Sequence, residues 1–85
     1  MTQEQTILGM LRTRKPVTLG DLFDAGVGYT GRNRIGDLKK KSFVIAHKNG
    51  ERPSLNAYIL VAEPGEPMDQ KRANALANDG WVWNS

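Results

Sequence analysis

Residues 26–45 read Gly26-Val-Gly-Tyr-Thr-Gly-Arg-Asn-Arg-Ile-Gly-Asp-Leu-Lys-Lys-Lys-Ser-Phe-Val-Ile45, and this stretch decides the fold. Gly26 and Gly28 predict a tight turn, because only glycine reaches positive φ without a steric cost. Thr30 is then expected to cap a helix over residues 30–41, with its hydroxyl accepting a hydrogen bond from a free amide of the first turn. The β-branched residues that follow predict a strand. The stretch therefore combines a glycine turn, a short basic helix and a strand.

The helix predicted over residues 30–41 has one apolar face and one cationic face. Gly31, Ile35 and Leu38 lie three or four positions apart, so they share one side of a helix. At about 100° per residue, the opposite side carries polar and mostly cationic residues: Arg32, Asn33, Arg34, Asp37 and Lys40. Such a helix suits packing on a small core while its charged side faces an anionic surface.

The composition predicts one small domain without covalent or metal support. A chain of 85 residues buries about 60–65% of the surface that its unfolded form exposes. It has no cysteine and a single histidine, His47, so disulfide bonds and thiolate or histidine-rich metal sites are not expected. No apolar run has the length of a membrane span or a signal peptide, which favours a cytoplasmic protein without a membrane partner. No nucleophile lies beside a histidine and no phosphate-binding loop occurs, so catalysis, a cofactor and a small-molecule substrate are not expected.

The positive charge is concentrated in the first part of the chain. The formal net charge is +3, and between Thr30 and Arg52 the acids are only Asp37 and Glu51. A basic half of this kind favours a polyanionic partner. The alternative is that the lysines and arginines only keep a surface solvated.

Two helices are predicted before the glycine turn. The first covers residues 2–14, where Thr2 and Gln5 are typical of a capping box. The second covers residues 19–25, begins at the N-cap Thr18, and is expected to bury three apolar side chains: Leu19, Leu22 and Phe23. The residues between the two helices allow one short extended step.

A β-hairpin is predicted after the basic helix. Residues 43–47 and 56–62 are rich in strand-forming residues, and the second run alternates in the manner of a half-buried strand. The polar loop between them, Lys48-Asn-Gly-Glu-Arg-Pro-Ser54, contains the strong turn pair Asn49-Gly50. The loop is long enough to project from the domain.

The order of two helices, a glycine turn, a basic helix and a hairpin is that of the winged helix-turn-helix. The residues that support this order are Gly26-Val27, Arg34-Ile35-Gly36-Asp37-Leu38-Lys39-Lys40, Phe43-Val-Ile45 and Tyr58-Ile-Leu60. They resemble the small phage and prophage helix-turn-helix domains, whose pattern is Gly-Ile, Arg-Ile-x-Asp-Leu-Arg-x-x-Gly, a strand, a wing and a Tyr-x-Leu strand. The resemblance covers residues 2–62, and Ser42 stands where that pattern has glycine. It implies an α+β winged helix-turn-helix domain over residues 1–62, DNA binding, and an origin in a phage or mobile element.

In this architecture the helix over residues 30–41 enters the major groove of double-stranded DNA. Asn33 is expected to pair with N6 and N7 of an adenine, and Arg32 to contact a guanine or a phosphate. Thr30 and Tyr29 lie where a hydroxyl can bond a phosphate at the start of the helix.

Further polar residues are expected to contact the DNA backbone: Arg34, Lys40 and Lys41 on the helix, and Lys48, Asn49 and Arg52 on the wing. The wing, residues 48–54, is expected to lie along the backbone or the minor groove. Asp37 follows Arg34 by three positions, so an ion pair that orients Arg34 is expected rather than a contact of Asp37 with DNA. The alternative is that all these residues belong to a solvated helix and an ordinary hairpin loop.

Residues 63–85 are predicted to form a hinge, a short helix and a tail with two tryptophans. Residues 63–67 have the composition of a hinge, and residues 67–78 can form a helix. Trp81 and Trp83 alternate with the residue between them, as in a strand. Two interpretations stay open: the tail packs on the core or the hairpin, or both tryptophans form a partner or dimer contact, since tryptophan is enriched at binding hot spots.

Two functions follow from these features. The first is a DNA-binding regulator or accessory factor, with a homodimer on a repeated site as one form. The second is a protein-interaction module that binds a host protein through the tail or the basic face. The second is favoured by the low net charge and by Gly31 and Gly36, because a helix with two glycines offers few side chains to read bases.

Overall fold

A computed structural model describes residues 2–83 of the chain, apart from the side chains of Tyr29 and Pro53. These residues form the predicted α+β fold, with four α-helices and a three-stranded antiparallel sheet. The helices are α1 (Gln3–Leu11), α2 (Leu19–Asp24), α3 (Gly31–Lys40) and α4 (Gln70–Asn78). The strands are β1 (Val17–Thr18), β2 (Val44–Lys48) and β3 (Ala57–Ala62), in the order β1-β3-β2. None of the helices within residues 2–83 has the length and apolar character that crossing a membrane requires.

The first two helices begin at the predicted caps. Thr2 Oγ1 accepts from the Gln5 N–H at 3.2 Å, and Gln5 Oε1 accepts from the Thr2 N–H at 3.0 Å. Thr18 and Asp21 form the same reciprocal pair at the start of α2, at 3.1 and 3.0 Å. Each pair satisfies amide groups that a helix start otherwise leaves without a partner.

The glycine turn forms as predicted, but Thr30 does not cap α3. Gly26 and Gly28 have φ angles of +83° and +66°, in the left-handed region that favours glycine. A 3-10 turn then leads directly into α3, and the backbone of Thr30 is already helical. The Thr30 hydroxyl lies 2.9 Å from Gln3 Oε1 and 2.8 Å from the Val27 carbonyl oxygen, and its single hydrogen is shared between these two acceptors. It therefore ties the start of α3 to α1 instead of capping the helix.

The end of α3 depends on Ser42, whose φ angle is +76°. This is the position at which the pattern quoted above has glycine. A left-handed residue commonly ends a helix, and glycine adopts that conformation with the least steric cost. Helix α3 therefore ends at the position where glycine was expected, and Ser42 adopts the left-handed conformation there at a steric cost.

Helices α1, α2 and α3 pack on one face of the sheet and enclose the main core. The largest fully buried side chains of the described chain are Ile7, Leu11, Leu22, Leu38, Ile45 and Leu60. Helices α2 and α3 approach closely at Gly31, since a Cβ atom there would lie 2.9 Å from Leu22 Cδ1. The prediction that Phe23 points inward is wrong, because its side chain is 42% exposed. Phe23 lies about 100° around the helix from Leu22, on a flank that faces away from this core.

The opposite face of the sheet is covered by α4 and the tail. This second core is built on three apolar strand residues: Ala46, Ile59 and Val61. Trp81 is 7% exposed within it, and the half-buried Trp83 packs against it. Val82 points outward and is 57% exposed, so the predicted alternation is confirmed. Trp81 therefore packs on the sheet, as the first interpretation of the tail predicts, whereas a partner contact of Trp81 and Trp83 stays a prediction.

The tail also adds a short bridge to the free edge of β2. The N–H and C=O groups of Val82 pair with those of His47 at 3.0 and 2.8 Å. Lys48 Nζ lies 3.4 Å from Asp79 Oδ2, and Trp81 Nε1 donates to the same carboxylate at 3.2 Å. Through these contacts the tail fixes the end of β2 next to the hairpin loop.

Residues 63–67, expected to act as a hinge, are held to the domain by two arginines that follow α1. Arg12 Nη2 lies 3.0 Å from Glu63 Oε1, and Arg14 Nη2 lies 2.8 Å from Glu66 Oε1. The hydrogen bond from Arg14, and next the bond from the Glu63 N–H, hold the pKa of Glu66 below the usual value for a glutamate. This segment is therefore an anchored turn.

The hairpin loop, residues 49–56, turns back onto the start of α2 while its tip remains exposed. The Leu19 N–H donates to the Asn56 carbonyl at 3.0 Å, and the Gly50 N–H donates to Asn56 Oδ1 at 2.9 Å. A Cβ atom at Gly50 would lie 2.5 Å from Leu55 Cβ, so glycine is required for this close approach. The loop is more closely packed than the projecting tip that its length predicted.

Candidate functional site

The polar face of α3 is uncovered. Ile35 and Leu38 are 2% and 0% exposed, whereas the side chains on the other side of the helix are exposed. These exposed residues are Arg32, Asn33, Arg34, Lys39 and Lys40. Helix α1 and strand β2 contact the buried side of α3, and the described part of the tail packs on the far face of the sheet. The predicted division of α3 into an apolar and a cationic face is confirmed.

Three of the cations predicted to contact the DNA backbone form ion pairs within the molecule: Arg34 with Asp37, Lys41 with Glu4, and Lys48 with Asp79. The distance of 3.1 Å between Arg34 Nη1 and Asp37 Oδ2 confirms the predicted intrahelical pair. The three cationic side chains are 44%, 60% and 43% exposed. Ion pairs at such exposure contribute about 0–1 kcal/mol, so these cations can exchange their partners for phosphates at little cost.

Four further cations of this surface have no acidic partner among the residues that the structure describes: Arg32, Lys39, Lys40 and Arg52. The sequence assigned no contact to Lys39, because its place beside the strands depends on how α3 packs on the sheet. Arg52 lies at the exposed tip of the hairpin loop.

A groove of about 420 Å³ separates α3 from the hairpin. It is lined by Arg32, Ile35, Gly36 and Lys39 of α3, and by His47, Asn49, Asn56 and Tyr58 of the hairpin. We call it the helix–hairpin groove. Two of these residues are cationic and none is acidic, so the groove favours an anionic ligand.

His47 and Tyr58 form one wall of the helix–hairpin groove. They are direct partners across β2 and β3, so their side chains lie next to each other on the same face of the sheet. Both are half-buried, and Tyr58 also packs against the main core. The prediction that His47 is a half-buried strand residue is confirmed.

Asn56 is held in a fixed orientation at the edge of the groove. Its Oδ1 accepts from the Gly50 N–H at 2.9 Å, so the amide nitrogen occupies the other position. That nitrogen has no hydrogen-bond partner within the described part of the chain, and it retains two donors for a ligand.

The remaining predicted contacts fall at different places. Asn33 is exposed near the middle of the cationic face, and Asn49 lines the groove. The Thr30 hydroxyl already donates within the protein, so it has no hydrogen left to donate to a phosphate. The side chain of Tyr29 lies outside the described residues.

The chemistry of this surface is that of positive charge and hydrogen-bond donors. Among the described residues, no three histidine, aspartate or glutamate side chains are arranged to hold a metal ion. Arginine, lysine and amide donors instead match phosphate oxygens and the edges of nucleic-acid bases.

Comparisons with protein-family models, with curated proteins and with solved structures give no match. The function therefore has to follow from the fold and the surface of this chain.

Proposed function

We propose that this chain is a winged-helix DNA-binding domain whose helix α3 enters the major groove. The proposal is carried by one observation: the cationic face of α3 is uncovered and lies beside the hairpin. The major groove admits an α-helix, and side chains of that helix then reach the base edges. The hairpin loop takes the place of a wing, with Arg52 at its exposed tip directed to the DNA backbone.

The residues of α3 divide into readers and backbone contacts. Asn33 is suited to adenine, because its amide can donate to N7 and accept from N6. Arg32 is suited to a guanine or a phosphate, and it is not engaged by an acid within residues 2–83. Lys39 and Lys40 supply charge for phosphates, which gives affinity without sequence preference.

The broader role follows from the sequence pattern. The resemblance to small phage and prophage domains favours a transcriptional regulator or an accessory DNA-binding factor that acts in the cytoplasm of a host cell. A homodimer on a palindromic site would place two copies of α3 in successive turns of the major groove. The donors and positive charge of the site favour binding over catalysis.

The alternative, a module that binds a host protein, has less support. One of its two proposed surfaces was the tryptophan tail, and Trp81 is buried against the sheet. Its other surface, the basic face, matches nucleic acid at least as well as an acidic protein.

Replacement of either reader is expected to weaken specific binding without unfolding the domain. Arg32→Ala and Asn33→Ala should each lower the affinity for a duplex selected by the wild-type protein from random sequences by roughly 5- to 150-fold, which corresponds to about 1–3 kcal/mol per base contact. The affinity is measured by fluorescence anisotropy, and circular dichroism confirms the fold.

Two variants of α4 serve as matched controls. Lys71→Ala and Asn74→Ala remove an exposed cation and an exposed amide from a helix on the far side of the sheet. Both should bind the selected duplex as the wild type does. If Arg32→Ala and Asn33→Ala also retain wild-type affinity, α3 does not read the bases.

A further inference from the structure

The helix–hairpin groove is concave, whereas the proposed contacts to a duplex come from the exposed face of α3 and from the tip of the hairpin loop. Its volume of about 420 Å³ falls within the range of about 300–1,000 Å³ of small-ligand clefts and cavities. The bases of an intact duplex are stacked and paired, so none of them can enter such a groove without leaving the stack. The groove therefore offers space that the reading of a duplex does not use.

One side of the groove fits a phosphate. Arg32 and Lys39 are seven positions apart, which places them on the same side of α3 and roughly 10 Å apart along its axis. Neither cation has an acidic partner within the described residues. A sugar–phosphate unit fits between two cations at this spacing.

The other side of the groove fits a base. The rings of His47 and Tyr58 lie next to each other, and aromatic rings are the usual stacking partners of unpaired bases. The amides of Asn49 and Asn56 supply donors and acceptors that match base edges. Because Gly50 fixes the amide of Asn56, two of these donors are already oriented before a ligand binds.

Gly36 keeps the space between these two sides open. Glycine is unfavourable inside a helix, and packing does not require it here, because a Cβ atom at Gly36 would have no neighbour within 4 Å. Gly31 in the same helix is different, since its Cβ atom would lie 2.9 Å from Leu22 Cδ1. The effect of glycine at position 36 is therefore to leave space in the groove that a larger side chain would fill.

We propose that the helix–hairpin groove binds one unpaired nucleotide of a single-stranded segment. Its phosphate lies between Arg32 and Lys39, so that Arg32 takes the phosphate contact of its two possible roles and Asn33 remains the base reader. Its base lies against the wall formed by His47 and Tyr58. This inference rests on the proposed function, because it places the nucleotide next to a duplex held by α3. The preferred DNA is then a duplex that ends in, or is interrupted by, a single-stranded stretch.

The test compares three DNAs built on one duplex: a blunt form, a form with a short single-stranded extension, and the same extension without bases. Fluorescence anisotropy measures the affinity of the full chain for each. The extension with bases should tighten binding at least about fivefold over the blunt duplex, since a stacked base contributes about that much or more. The abasic extension should bind about fivefold or more weakly than the extension with bases, because it keeps the phosphate contact with Arg32 and Lys39 but lacks the stacked base.

A matched pair of variants locates the effect in the groove. Gly36→Leu fills the space between Arg32 and Lys39, and it should bring the ratio of extended to blunt affinity to about one. Gly9→Leu makes the same change in α1, where a Cβ atom also has no neighbour within 4 Å, and it should keep the wild-type ratio. Both variants should unfold at or above the wild-type temperature, because leucine is the better helix former.

Each outcome decides a separate point. The nucleotide site is overturned if the extension gives no gain, if the abasic extension gives the same gain, or if Gly36→Leu keeps it. A different result separates the two proposals. If the wild-type chain binds single-stranded DNA but not the blunt duplex, and Gly36→Leu abolishes the binding of single-stranded DNA, then the proposed function fails and the nucleotide site stands.

Discussion

Raising the NaCl concentration from about 50 mM to about 200 mM is expected to weaken the binding of duplex DNA roughly 500-fold. Seven cations lie on α3, at its end and on the hairpin: Arg32, Arg34, Lys39, Lys40, Lys41, Lys48 and Arg52. If about five of them each neutralise a phosphate, the slope of log affinity against log salt concentration is about −4.5. The slope is measured by anisotropy titrations at four or more salt concentrations.

Alanine substitutions of single lysines test which surface is responsible for the salt dependence of the affinity. Lys40→Ala should make the slope less negative by about 0.9, because one phosphate contact is lost. Lys71→Ala removes an exposed cation from α4 and should leave the slope unchanged. Equal slopes for Lys40→Ala and the wild type would exclude Lys40 from the phosphate contacts, and a slope near zero would exclude an electrostatic mode of binding altogether.

Trp81→Ala is expected to lower the free energy of unfolding by about 3–5 kcal/mol. Trp81 is 7% exposed and fills the second core against Ala46, Ile59 and Val61, so its removal leaves a cavity over the sheet. The bond from Trp81 Nε1 to Asp79 is lost as well. In a domain whose total stability is about 5–15 kcal/mol, this is a large fraction. Urea denaturation followed by circular dichroism measures it, since the substitution alters tryptophan fluorescence.

The neighbouring residue provides the control for this substitution. Val82 is 57% exposed, and its bonds to His47 use only backbone atoms. Val82→Ala should therefore change the free energy of unfolding by no more than about 0.5 kcal/mol. A loss below about 1 kcal/mol for Trp81→Ala would mean that the tail is not part of the folded core.

Local sequence signals predicted the local structure well. The capping box of Thr2 and Gln5, the N-cap Thr18, the turn at Gly26 and Gly28, and the apolar face of α3 are as predicted. These features depend on residues within a few positions of each other, where spacing and side-chain chemistry decide the outcome. The alternation of Trp81 and Trp83 belongs to the same class.

Features that depend on distant contacts were not predicted. The short step before α2 is a strand, β1, that pairs with β3 about 40 residues later. Thr30 bonds to Gln3 rather than capping α3. The sequence left two interpretations of the tail open, and the packing of Trp81 on the sheet agrees with the first of them. Helical spacing also failed to place Phe23, because in so short a helix the direction of the core is set by its neighbours.

The candidate site also combines residues that the sequence could predict with residues that it could not. The cationic residues of α3 were visible in the sequence, because they lie on one helix. The helix–hairpin groove was not, because Lys39, His47 and Asn56 meet only when α3 packs beside the hairpin. Asn56 carried no motif, and its role depends on the orientation that Gly50 imposes.

The most direct test of the central claim, that α3 and the hairpin form the surface that binds nucleic acid, is a titration of the ¹⁵N-labelled chain with duplex DNA followed by NMR. The largest shifts of the backbone amides are expected in α3, Gly31–Lys40, and in the hairpin loop, residues 49–56, with little change in α4, Gln70–Asn78. Shifts concentrated in α4 and the tail, or no shifts at concentrations where anisotropy reports binding, would contradict the claim.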